Sequence, residues 1–95
     1  QVTQRNARFK QESTIYLGRC FAGKGQHDLA IDQYQAGIAE LEVMNAVKKD
    51  ALYSLAKSLE EVGRTDEAID QYKEIYAADL SYRDVADIIT RSYDS

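Results

Sequence analysis

The five residues AIDQY stand at Ala30 to Tyr34 and again at Ala68 to Tyr72, inside the longer echoes GQHDLAIDQYQAGI and GRTDEAIDQYKEIY. A chain of 95 residues that writes the same stretch twice, 38 positions apart, is built from two copies of one supersecondary unit. Aligned on Gly25 and Gly63, the copies match further: Leu17 with Leu55, Gly18 with Ala56, Phe21 with Leu59, Ala30 with Ala68, Ile31 with Ile69, and Tyr34 with Tyr72. In each, apolar residues at i, i+3 or i+4, and i+7 precede a glycine, and a second run at helical spacing follows it. That pattern predicts two helices joined by a tight turn.

The residue types suit such a hairpin. Gly18, Ala56, Ala30 and Ala68 are small, as close crossing of two antiparallel helices requires. Gly25 and Gly63 follow the last apolar residue of each first helix, where a positive φ ends a helix and only glycine adopts it without steric cost. In the second unit Thr65 is placed to cap the next helix, with Asp66 and Glu67 set against the positive end of its dipole; the first unit offers Gln26, His27 and Asp28. There is no proline, only five glycines, and the apolar share is 44%, so the expectation is an all-α chain. A single domain of this size buries roughly 60–65% of its unfolded surface. No apolar run approaches the ~20 residues of a membrane-spanning helix. The chain begins at Gln1 and reads as a piece of a longer soluble protein.

The order L-G-x-x-F-x-x-x-G-x-x-x-x-A-x-x-x-Y from Leu17 to Tyr34, with L-A-x-x-L-x-x-x-G-x-x-x-x-A-x-x-x-Y from Leu55 to Tyr72, resembles the tetratricopeptide repeat. The likeness covers about four fifths of the chain. Thr14 and Leu52 stand where the family has an aromatic residue, and its proline is missing. The family period is about 34 residues, so the extra turn of helix belongs within ELEVMNAVKKD, residues 40–50. The resemblance implies antiparallel helical hairpins stacked as a short right-handed α-solenoid. Unit one spans about 10–43, unit two about 46–79, and a capping helix about 82–93. Expected helices are 3–23, 27–43, 46–62, 65–78 and 82–93. The first is long because Phe9, Tyr16, Cys20 and Phe21 continue one apolar face, and the last opens on an acidic capping box, Ser81 with Asp84, followed by Val85, Ile88 and Ile89.

The same resemblance implies a concave wall that holds a peptide or a protein segment, formed by Glu12, Ile15 and Arg19, then Asp50, Tyr53 and Lys57, then Asp84, Asp87 and Arg91. The family's carboxylate clamp is not expected, because Ile15, Arg19 and Ser54 occupy its positions. Arg19 and Lys57 still suit an acidic segment, with ordinary solvated helix residues as the alternative. Tyr53 is a candidate anchor or a packing residue. Tyr34 and Tyr72 belong to the core, and Tyr16, Tyr76, Tyr82 and Tyr93 are expected in seams between helices.

No catalytic or cofactor site is expected, and the function read from the sequence is a non-enzymatic interaction scaffold. One cysteine, Cys20, with one histidine, His27, falls short of a tetrahedral zinc site. Cys20 reads as a small apolar filler and His27 as a surface or capping residue. The acids Glu60, Glu61, Asp66 and Glu67 read as solvated, and Gly23, Lys24 and Gly25 lack the spacing of a phosphate loop. Self-association through apolar end faces, with Ile88, Ile89 and Tyr93 on the last helix, is a second reading. Nucleic-acid binding by Arg5, Arg8 and Lys10 is disfavoured, because residues 25–95 carry fifteen acids against seven basic residues. A membrane partner is not expected, and the cytoplasm is the compartment inferred.

Overall fold

Gly25 and Gly63 set the course of the backbone. The computed structural model describes the backbone of residues 2–94 and the side chains of residues 12–93. Both glycines are left-handed, with φ of +80° and +85°. Each sits in the same doubly bonded stop: the Gln26 and Arg64 amides donate to the Phe21 and Leu59 carbonyls at 2.9 and 2.8 Å, and the Gly25 and Gly63 amides donate to those of Ala22 and Glu60 at 3.0 and 3.1 Å. The paired bonds satisfy carbonyls that a helix end would leave open. The repeated letters are therefore a repeated reversal.

Among the described residues five helices result: α1 (Val2–Gly23), α2 (His27–Ala39), α3 (Ala46–Glu61), α4 (Thr65–Ala78) and α5 (Val85–Asp94). Each packs on the next in sequence, and α1 also touches α3. The body measures 49 × 28 × 16 Å.

Eight of the ten helix boundaries agree with the sequence reading to within a residue, and three local features differ. α2 stops at Ala39 rather than near 43, because the Glu40 and Leu41 amides turn back to Gly37 and Ile38 three residues earlier. Residues 40–45 then connect α2 to α3, pinned by the Lys48 ammonium on the Leu41 carbonyl at 3.0 Å. Asn45, extended at φ −118°, caps α3 by accepting from the Lys48 amide at 3.0 Å. Thr65 is not a cap: Arg64 holds the position without a side-chain capping bond, its guanidinium paired with Glu67 at 2.7 Å, and Thr65 is the first helical residue. Asp66 and Glu67 do lie in that first turn. The Ser81 capping box does not form either. Asp79 accepts from the Ser81 amide and hydroxyl at 3.1 and 3.0 Å, so Ser81 closes a turn and α5 begins at Val85.

The core draws on every helix, with Ile15 from α1, Ile31 and Tyr34 from α2, Leu52, Leu55 and Leu59 from α3, Tyr72 and Ile75 from α4, and Val85 and Ile88 from α5. Burying each large side chain contributes about 1.5–3 kcal/mol. Tyr34 and Tyr72 are core residues, as expected. Ala30, Ala56 and Ala68 are wholly inaccessible, and a Cβ on Gly18 would fall 2.8 Å from the Tyr34 ring and 3.2 Å from the Ala30 carbonyl. The expected aromatic seams are corrected: Tyr16 and Tyr93 are 67% and 71% exposed and Tyr76 is exposed too, so of these four tyrosines Tyr82 alone packs against the core. Cys20 is exposed rather than a filler. Phe9 lies outside the described side chains.

Gly18→Ala should lower stability by about 1–3 kcal/mol in urea unfolding despite its better helix propensity, because the Tyr34 ring must move. Gly23→Ala, whose new methyl meets nothing within 4 Å, should be neutral or stabilising by up to about 1 kcal/mol. Gly63→Ala should cost about 1–2 kcal/mol through its left-handed backbone.

Candidate functional site

α3 presents Asp50, Tyr53 and Lys57 one helical turn apart, and the connector from Asp79 to Asp84 folds over them. The Tyr53 ring meets Tyr72 and Tyr82 edge-on at centroid distances of 5.8 and 5.9 Å. Its hydroxyl donates to Asp84 Oδ1 at 2.8 Å. Tyr72 donates to Glu60 at 3.2 Å, and Tyr82 donates to Asp50. Lys49 anchors the start of the connector on Asp79 at 3.1 Å.

Arg83 closes the cluster. Its guanidinium stands 5.0 Å from the Tyr53 centroid and 5.3 Å from that of Tyr82, and reaches Asp50 at 3.4 Å. Lys57 approaches the Tyr53 ring to 5.3 Å and Glu60 to 3.9 Å. Cations over phenol rings are attracted by the ring quadrupole, by about 0.5–1 kcal/mol at exposed sites. Arg83 has φ +44°, the one non-glycine at positive φ among the described residues. That conformation costs an L-residue roughly 1–2 kcal/mol, and the stack and the Asp50 contact offset it.

Beside this cluster lies an open recess of about 380 Å³, where Ala22 of α1, His27 and Tyr34 of α2 and Ser54, Ser58 and Glu61 of α3 meet Tyr53, Lys57 and Arg83. The His27 ring Nδ1 lies 3.2 Å from the Ser58 hydroxyl, so His27 faces α3 rather than serving only as a surface or capping group. Lys57 and Arg83 keep about half of their side-chain surface in solvent. The recess thus offers two cations beside the half-buried Tyr53 ring, with the acid Glu61 on the same lining, while Tyr34 and Ser58 form its floor at 2% exposure each.

The expected wall residues divide accordingly. Asp50, Tyr53, Lys57 and Asp84 come together, although Tyr53, Asp50 and Asp84 already bond within the fold. Ile15 is corrected: at 3% exposure it belongs to the core, because α1 lies on both α2 and α3. Arg19 is exposed, and its charge is felt by the Tyr34 hydroxyl. Glu12 is exposed and lines a separate hollow beside Leu41 and Val43. Asp87 and Arg91 are exposed on α5 and do not line the recess. Arg83 was missed because a helix expected from residue 82 makes it an ordinary first-turn residue; no helical periodicity marks a left-handed arginine. Arg5, Arg8 and Lys10 lie outside the described side chains. Among the described residues no group of three His, Cys, Asp or Glu side chains could hold a metal ion, and no helix is long and apolar enough to cross a membrane. Set against protein-family models, curated proteins and solved structures, the chain finds no match.

The tyrosines make a pH dependence. Burial, then the bond to Asp84, pushes Tyr53 up to about 12, and burial also raises Tyr34, Tyr72 and Tyr82. The fold favours the neutral phenols, so their contribution is complete below pH 10, the ordinary value, and is lost as pH rises through the raised values. Helical circular dichroism should therefore hold to about pH 10 and fall above it, with late phenolate absorbance appearing in step with unfolding. Phenolate formation at these four positions with helicity intact would contradict the packing described.

Proposed function

We propose that this chain is a non-enzymatic protein-interaction element, a short solenoid of two hairpins and a capping helix, which holds an acidic segment of another protein at the recess beside Lys57 and Arg83. The observation that carries the reading is the recess itself, where two half-exposed cations flank the half-buried Tyr53 ring at the meeting of three helices. A guanidinium and an ammonium bind carboxylates through charge-assisted hydrogen bonds, and aromatic faces bury a neighbouring apolar side chain. The tetratricopeptide likeness of Leu17 to Tyr34 and Leu55 to Tyr72 supports it, as does the sequential packing of α1 to α5.

The recess departs from the wall implied by that likeness. It adds Arg83, Tyr34 and Ser54, keeps Tyr53 and Lys57, and leaves Arg19, Asp87 and Arg91 outside. The reading assigns no catalysis and no cofactor. Cys20 is an exposed thiol, and His27 bonds to Ser58. A free thiol of that kind suits a reducing compartment, and the reading places the chain in the cytoplasm.

Peptides selected from a random library on the immobilised chain should share an acidic residue next to an apolar one. Lys57→Glu combined with Arg83→Glu should weaken the selected peptides by about tenfold or more, about 1.4 kcal/mol or above, with helicity retained. Equal affinity for the double variant, or a selected set without acidic residues, would show the recess is not the site.

A further inference from the structure

The internal repeat allows each unit to report on the other, and one set of matched positions is unequal. On α3, Leu55, Ser58 and Leu59 form a stripe that is almost wholly buried, at 3%, 2% and 1% exposure, and α3 packs against α2. Their counterparts 38 positions earlier are Leu17, Cys20 and Phe21. Leu17 is 44% exposed, Cys20 is exposed, Phe21 is half-buried, and Tyr16 beside them is more exposed still. The α1 stripe is the more apolar of the two, yet among the described residues no helix covers it. The opposite end has its own exposed apolar residues in Tyr76, Leu80 and Tyr93, the Tyr93 ring carrying the Lys73 ammonium at 5.1 Å on one face.

Charge separates the ends. Residues 1–24 carry five basic residues and one acid, a net of +4; residues 65–95 carry eight acids and three basic residues, a net of −5. Like ends repel and unlike ends attract, so an α1 face is steered away from another α1 face and towards an α4–α5 end. We infer that this chain associates head to tail with a second copy of itself, the Tyr16, Leu17 and Cys20 stripe of one copy docking on the Leu80 and Tyr93 end of the next. Such a contact is heterologous and leaves a free stripe at one end and a free tail at the other, so assembly continues beyond two copies. It is independent of the recess.

The test uses two blocked variants in sedimentation velocity with reductant present, which removes any disulfide through Cys20. Wild-type protein should sediment faster as concentration rises, and its apparent dissociation constant should rise about tenfold between about 0.05 M and about 0.5 M salt as the charges are screened. Leu17→Glu blocks the stripe, and Leu80→Glu with Tyr93→Glu blocks the tail. Each should be monomeric alone, while an equimolar mixture should form a dimer and stop there, because one intact stripe meets one intact tail. If Leu17→Glu loses helicity, Tyr16→Glu replaces it at the most exposed position of the stripe. A wild-type chain that stays monomeric to about 1 mM overturns the inference, as does a tail-blocked variant that still self-associates, which would mean stripe on stripe. A mixture that remains monomeric overturns it as well.

Discussion

The left-handed glycine stop is the constraint on which the rest of this structure depends. Gly25 and Gly63 each end one helix, bond its open carbonyls, and direct the chain back along itself within three residues. Only after that reversal can Tyr34 lie over Gly18, with its ring where a Cβ would otherwise be. The close approach of α1 and α2 follows from a backbone dihedral and a missing methyl, and hydrophobic burial then holds what the geometry has brought together. Ala56 stands at the equivalent place in the second unit and is equally inaccessible, so one methyl more is accommodated there.

The two core tyrosines show how a repeat diverges without losing its frame. Tyr34 and Tyr72 occupy one position of the unit and both are buried. Tyr72 donates a hydrogen bond to Glu60 and meets the Tyr53 ring, whereas burial raises Tyr34 against the opposing influence of Arg19 and Ser54. The difference comes from the first helix of each unit, because Glu60 and Tyr53 of α3 stand where α1 has Ala22 and Ile15. Unit one leads into α3, a full helix. Unit two leads into a turn built on Asp79, then Arg83 at positive φ, then the short α5. That turn gathers the tyrosines of α3 and α4 into one cluster and creates an edge of the recess.

Helices, their order and most of the core were legible in the sequence because they follow from periodicity and from glycine, both of which act over a few residues. The 38-residue spacing pointed to a longer join between the two hairpins, and the connector between α2 and α3 spans residues 40–45. What was not legible depends on pairs distant in sequence or on bonds that run against the expected direction. Ser81 looked like a cap because its bond to Asp79 reaches backwards, against the direction the capping box is read. Ile15 looked like a wall residue because family geometry places it there, and only the packing of α1 on both α2 and α3 turns it inward. Arg83 lay within an expected helix, and nothing in a periodic pattern signals a residue that leaves it.

The inequality between Leu17 and Leu55 also bears on how the molecule breathes. α2, α3 and α4 are each flanked by helices on two sides, while α1 and α5 terminate the row. In a chain whose elements rest chiefly on their sequence neighbours, cohesion declines towards the margins. Amide protons of α3 should therefore be the slowest to exchange with deuterium, those of α5 and the outer turns of α1 the quickest. Opening then proceeds inward from either rim, and the buried face of α3 around Leu52, Leu55 and Leu59 is the last region to be reached by solvent.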